Sequence, residues 1–245
     1  MLYYKAWLES RVRFLAAGAV LSLYCLTFVQ RARLDFPPAL EPTLPYTAHV
    51  WRGIYNGLDM VVFIIMAALL GLGGLERERE LGTDGFTLAL PVDRAQLLWP
   101  RVAVAMVEMA ALAAIPLVVV PWTSATIGRA YPAAHAARFA ILFATTGTLW
   151  VSAGVLVSVA VPGSYASMAA SLLAQVTSAA VFSGTLRAHP SLSPFNVMNG
   201  ARLSLLDRST DLFIAPLPWI TLAAFLLVSA TVLAGASAIS RRRDF

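Results

Sequence analysis

The chain is poor in charge and almost without cysteine. Only 13% of its 245 residues are Asp, Glu, Lys or Arg, whereas a soluble domain carries roughly one quarter. That argues against an ordinary water-facing surface. Cys25 is the single cysteine. It cannot close an intrachain disulfide, and alone it makes no metal site. The three histidines, His49, His135 and His189, fall between apolar runs with no metal-ligand spacing. No His-Glu-x-x-His occurs, and no Ser/His pair shares neighbouring apolar runs. A phosphate-cradling Gly-x-x-x-x-Gly-Lys-Ser/Thr run is also missing, and no connection is long enough to house a nucleotide-binding domain. We therefore expect no catalytic residue, no metal and no cofactor. The net charge of +5 and pI near 9.8 do not indicate nucleic acid. Arginines beside apolar runs meet anionic lipid headgroups, and there is no folded basic face to receive DNA.

What is present is apolar and continuous. Hydrophobic residues make up 59% of the chain, and the mean hydropathy is +0.73. They fall in six blocks: 14–29, 54–75, 102–122, 139–161, 165–186 and 217–239. Each approaches the roughly 20 residues a helix needs to cross hydrocarbon. The runs do not alternate, so helices are expected rather than a barrel. The expected fold is all-α, a polytopic membrane protein with six transmembrane helices forming one domain over 1–245. The fourth and fifth blocks are softer, rich in Ala, Ser, Thr and Gly, and a five-helix arrangement is the alternative. The first block has a basic lead but runs into Gln30-Arg31-Ala32-Arg33 without a small-x-small site. It reads as an uncleaved anchor.

Before it, Tyr3, Tyr4, Trp7 and Leu8 share one helical face, away from Lys5, Glu9 and Arg13. An amphipathic interfacial helix over about 1–13 is expected; an early extension of the first span is the alternative. An even number of spans puts both termini on one side. The cluster Arg241-Arg242-Arg243, directly after the last block, marks that side as cytoplasmic. The expected location is the cell inner (plasma) membrane.

The segment 76–101 between the second and third blocks is the most distinctive. Glu76, Glu78 and Glu80 with Arg77 and Arg79 continue a helical end into water. Gly82 can stop that helix in a left-handed conformation, and Thr83-Asp84-Gly85 is turn chemistry. Phe86, Leu88 and Leu90 form a short apolar piece, which Pro91 breaks. Asp93 can cap the next helix, with Gln96 three residues on. The outcome is an elbow with an apolar knob and a charged rim. The run Glu-x-Glu-x-x-Gly-Thr followed by Leu-x-Leu-Pro-Val-x-Arg, ending at Arg94, resembles the inner loop of ABC transporter permeases of the type-2 exporter class. The six-block layout, the N-terminal amphipathic stretch and the basic tail agree with that resemblance. It implies a non-catalytic permease subunit that pairs with a second copy, with this coupling helix docking on a separate ATPase. Small residues at 164–180 would then lie beside the dimer axis. The segment 187–216 would re-enter from outside as a gate.

Three polar residues lie inside blocks: Asp59, Glu108 and Gln175. Intramembrane acids are candidates for substrate or gating roles, with structural pairing to an arginine as the plainer expectation. By helical rise, Asp59 should lie about 7 Å below the outer end of its block, and Glu108 roughly 9 Å above the inner end of its own. An ion-coupled secondary transporter using these acids is one rival reading, and a non-transporting membrane anchor or assembly factor is another. Against the first stands the lack of an inverted repeat or matched broken spans.

Overall fold

The computed structural model describes residues 2–35, 45–72, 94–161, 163–184, 190–200, 203, 205–207 and 210–242. Apolar blocks free of period-two alternation satisfy their backbone internally, and so the described residues are overwhelmingly helical. The only strand-like pairing among them is the isolated bridge between Leu206 and Phe213.

The helices, in chain order, are α1 (Leu2–Asp35), α2 (Tyr46–Val50), α3 (Leu58–Gly71), α4 (Arg94–Ala113), α5 (Ile115–Thr126), α6 (Ala133–Ala160), α7 (Ser164–Gly184), α8 (Pro194–Asn199) and α9 (Trp219–Arg242). A π-helical turn, Trp51–Tyr55, joins α2 to the break at Asn56-Gly57. Among the described residues, five stretches are long and apolar enough to cross a membrane: Leu2–Leu34, Tyr46–Gly71, Leu97–Thr126, Ala133–Ala160 and Trp219–Arg241. The fifth expected block appears as a shorter apolar helix, Tyr165–Val181.

Three expectations change in detail. The N-terminal stretch is not set apart from the first span, because α1 runs unbroken from Leu2 to Asp35. No glycine or proline interrupts it near residue 13, and the Ser10 hydroxyl bonds back to the Ala6 carbonyl within the helix (3.1 Å). The second span starts at Tyr46 rather than Ile54, because α2 and the π turn precede α3. The third extends through α5 to Thr126, with a single non-helical residue, Ala114, just before Pro116, whose ring supplies no N–H.

The long helix α6 is the axis of the bundle. It packs against α3, α4, α5, α7, α8 and α9, while α1 covers α3, α4 and α5. An aromatic column sits where α6 meets the second span. Tyr55 stacks on Phe139 with centroids 3.9 Å apart, and Phe63 lies 5.2 Å from Phe143. Further along, glycines let the backbones touch: a Cβ on Gly71 would stand 2.3 Å from the Val151 carbonyl oxygen, and one on Gly154 2.2 Å from that of Ala68. Close backbone approach through small residues is the packing mode that does not rely on water. Gly163 turns the chain from α6 into α7 with φ +90, a region that favours glycine.

α7 is arranged inside out. Ser167, Ser171 and Gln175, four residues apart, are buried, while Tyr165, Leu173, Val176 and Val181 are exposed. A helix with polar residues inward and apolar residues outward suits a hydrocarbon surround better than water. The interior continues this theme: Thr148 of α6 lies 2.9 Å from Ser229 of α9, hydroxyl to hydroxyl.

The chain after α7 packs back on the bundle. Val197 and Met198 of α8 are fully buried, and Phe195 lies 5.3 Å from Trp150 of α6. Ser193 caps α8 by accepting from the Asn196 amide, and Gly200 ends it in a left-handed conformation. Beyond it, the Phe213 amide donates to His135 Nδ1 (3.2 Å).

Candidate functional site

The bundle holds two buried acids in different settings. At the end where α3 stops and α4 begins, α1 supplies Glu9, Ser10 and Arg13. Arg13 donates to the carbonyls of Leu69 (2.8 Å) and Leu72 (2.7 Å) at the close of α3. The Leu69 carbonyl also accepts from the Leu72 amide (3.2 Å), and both carbonyls lie at the negative end of the helix dipole, so a guanidinium there is favourable. Glu9 pairs with Arg101 of α4 (3.1 Å) and lies 4.0 Å from Lys5. Ser10 donates to one carboxyl oxygen of Glu108 at 2.5 Å. The first turns of α1 therefore hold both legs of the segment between Leu72 and Arg94.

Glu108 is 2% exposed. Its second carboxyl oxygen, Oε2, has no hydrogen-bond partner among the described residues. Arg13 is near enough for its charge to act on Glu108. The expectation of an arginine pair is thus met only at a distance; the direct partner is a serine.

The second acid, Asp59, stands in the first turn of α3 and is 1% exposed. The Cys25 thiol of α1 donates to its Oδ1 (3.5 Å), and Oδ2 has no partner among the described residues. Among the described residues no arginine pairs with it; its hydrogen-bond partner there is the Cys25 thiol. The interruption sets this position. After the π turn the backbone restarts at Leu58, and a side chain on Gly57 would strike the Gly53 carbonyl oxygen at 2.1 Å. Asp59 is therefore placed near a helix N-terminus inside a span, where the dipole favours negative charge.

Around this break the chain after α7 closes in. Trp51 Nε1 donates to the Asn199 carbonyl, and Asn199 Nδ2 donates to Asn56 Oδ1, both at 2.8 Å. Tyr24 donates to the Gly53 carbonyl (3.1 Å), and Tyr46 pairs with Ser124 (2.7 Å). Tyr131, in the connection between α5 and α6, has its phenol pushed well above the usual range by burial. Asp211, in the connection before α9, is raised by burial and lowered in part by Arg52.

The structure therefore separates the three intramembrane candidates. Glu108 belongs to the α1–α4 contact, Asp59 to the break in the second span, and Gln175 to the polar face of α7. Neither amide atom of Gln175 has a partner among the described residues. The coupling-segment residues Glu76, Glu78, Glu80, Gly82, Thr83, Phe86, Leu88, Leu90 and Pro91 lie outside the described residues, and Arg94 is seen only as the opening residue of α4. Sequence reasoning missed Ser10, Arg13, Arg101 and Cys25 as partners. A signal existed for some of them. Glu9 and Arg13 are four apart, and Arg101 and Glu108 seven apart, so each pair shares a helical face. Among the described residues no group of His, Cys, Asp and Glu could hold a metal ion. Comparison with protein-family models gives no match, and comparison with curated proteins gives none either.

Proposed function

We propose that this chain is the membrane-spanning permease subunit of an ATP-driven ABC exporter, working as a homodimer with a separate ATPase. One observation carries the reading: the Glu76–Arg94 motif joins the end of α3 to the start of α4. Both of those legs are tied to α1 through Arg13 and through Glu9 and Ser10. A push on the elbow would tilt α3 and α4, and α1 would follow as part of the same body. In this reading α7 is the fifth of six spans, with its polar face inward, and the opening turns of α1 lie in the headgroup layer. The arginines at 241–243 hold both termini in the cytoplasm. ATP is bound by the partner, since the chain has no phosphate-cradling loop.

The test is affinity purification from native membranes. A stoichiometric P-loop ATPase should co-purify, and Leu88→Asp should lose it while the permease stays inserted, because a charge in a buried anchor costs docking. Retention of the ATPase by Leu88→Asp, with coupled hydrolysis intact, would remove the basis of the assignment.

A second reading has a specific observation behind it. The interrupted second span and Asp59 Oδ2, which has no partner among the described residues, are features of ion-coupled transporters, which bind ions where helices break. Asp59→Asn separates the two readings. An ATPase-driven exporter should keep nucleotide-dependent transport in this variant, whereas an ion-coupled carrier should lose gradient-driven transport without any ATPase present.

A further inference from the structure

We infer that His135 is an acid-released latch: as a neutral ring it holds the paired arms 205–207 and 210–214 against α6, and protonation lets them go. The contact is built from the backbone outward. The Ile214 amide donates to the Leu205 carbonyl (2.9 Å), and the Asp207 amide donates to that of Leu212 (2.8 Å), so the arms are tied to each other and move together. They dock through the Thr47 hydroxyl of α2, which donates to the Thr210 carbonyl (2.6 Å), and through His135. The Phe213 amide donates to Nδ1 of His135 at 3.2 Å, and the two rings stack with centroids 5.7 Å apart. Phe213 is itself buried and lies 4.7 Å from Phe139. It thereby stands at one end of the aromatic column in which Phe139 stacks on Tyr55.

An acceptor at Nδ1 requires the tautomer that carries its proton on Nε2. A second proton goes to Nδ1, turns it into a donor and sets N–H against N–H. The Phe213 amide is then a buried donor without an acceptor, the costly way to lose a hydrogen bond. Positive charge is disfavoured here for two further reasons. His135 lies in the first turn of α6, where the helix dipole opposes a cation. Arg138, one turn along, acts on His135 through its charge and lies 5.5 Å from the Phe213 ring centroid. The carboxylates of the docked arms face other groups: Asp207 accepts from Thr210, and Asp211 stands near Arg52. Tyr131, in the connection before α6, acts with Tyr55, Tyr46 and Asp211. His135 is only half-buried, so a proton reaches it without crossing the core. Histidine is also the side chain whose ordinary range, about 6.5, lies where modest acidification acts. The latch rests on neither transport reading.

The test is amide exchange of the full chain in phosphatidylcholine nanodiscs, read at Phe213 by peptide mass spectrometry with the intrinsic pH dependence of exchange divided out. The docked ring takes no proton at Nδ1 and the released ring titrates at about 6.5, so the released fraction rises about tenfold per pH unit below that value. Protection of the Phe213 amide should therefore fall about tenfold between about pH 7.5 and 5.5. Asp211 acts in the opposite sense, its contribution falling as pH rises, so the sign separates the two groups. His135→Asn sets an amide oxygen near the place of Nδ1 and does not titrate; whatever its level of protection, the fall on acidification should be gone. His135→Leu keeps apolar bulk but offers no acceptor, and should show low protection already at neutral pH. Wild-type protection that holds on acidification would overturn the latch. So would a fall that survives in His135→Asn, or a His135→Leu chain as protected at neutral pH as the wild type.

Discussion

Gly71 and Gly154 let the backbones of α3 and α6 approach closely, and alanine at either position tests whether that contact organises the bundle. A methyl on Gly71 would lie 2.3 Å from the Val151 carbonyl oxygen and 2.9 Å from the Val155 nitrogen. A methyl on Gly154 would lie 2.2 Å from the Ala68 carbonyl oxygen. Ordinary contact begins near 3.4 Å, so the helices must separate by about 1 Å. The obstructing atoms are backbone, and no side chain can rotate away. A gap of that size forfeits a quarter to a half of the local dispersion energy. Each substitution should therefore cost about 3 kcal/mol, at the upper end of overpacking effects. Because both methyls prop open one gap, the double variant should cost much less than the sum of the two. Gly147→Ala is the contrasting case, since its methyl meets the flexible Met109 sulfur at 2.4 Å and should cost about 1 kcal/mol or less. Gly235→Ala meets nothing within 4 Å and should gain about 0.5–1 kcal/mol from reduced backbone entropy. Thermal unfolding of the four single variants and the double variant in one detergent gives the ranking. If Gly71→Ala and Gly154→Ala unfold with the wild type, or if their costs add fully, the close crossing is not what holds α3 to α6.

Two further outcomes follow from the polar contacts. Arg13→Gln should lower stability by about 1–2 kcal/mol, the scale of a charged hydrogen bond at a helix C-terminus. Amide exchange should rise selectively at the end of α3, and unchanged protection there would refute the capping role. For Asp211, burial raises the carboxyl above its ordinary value, so the folded state binds the proton more tightly than the unfolded chain. Local stability is then fully present below the ordinary carboxylate value and declines as pH rises through the raised one. Asp211→Asn should remove that decline in the amide exchange of residues 205–214, and a pH profile that persists in the variant would exclude Asp211 as its source.

The membrane class, the helical architecture and the rough position of most spans were legible in the residues themselves. Continuous apolar runs leave helices as the only open structure that satisfies the backbone in hydrocarbon. The inward polar face of α7 was half legible. The small residues were visible, but which ones turn inward depends on the neighbours α3 and α6. The unbroken α1 stood only as the alternative to a separate interfacial helix, because its opening turns carry charges that find partners in Arg101 and the α3 carbonyls only after packing. Nor could the settings of the acids be read. A run of hydropathy reports that Asp59 and Glu108 lie inside apolar segments, and it says nothing about who faces them. The interruption at Asn56-Gly57 moved Asp59 to a helix start in mid-span, and the crossing of α1 over α4 set Ser10 against Glu108. Hydrocarbon demands internal hydrogen bonds from every backbone, and that demand acts locally along the chain. The pairing of side chains is a contest among distant segments, and only the packed bundle resolves it.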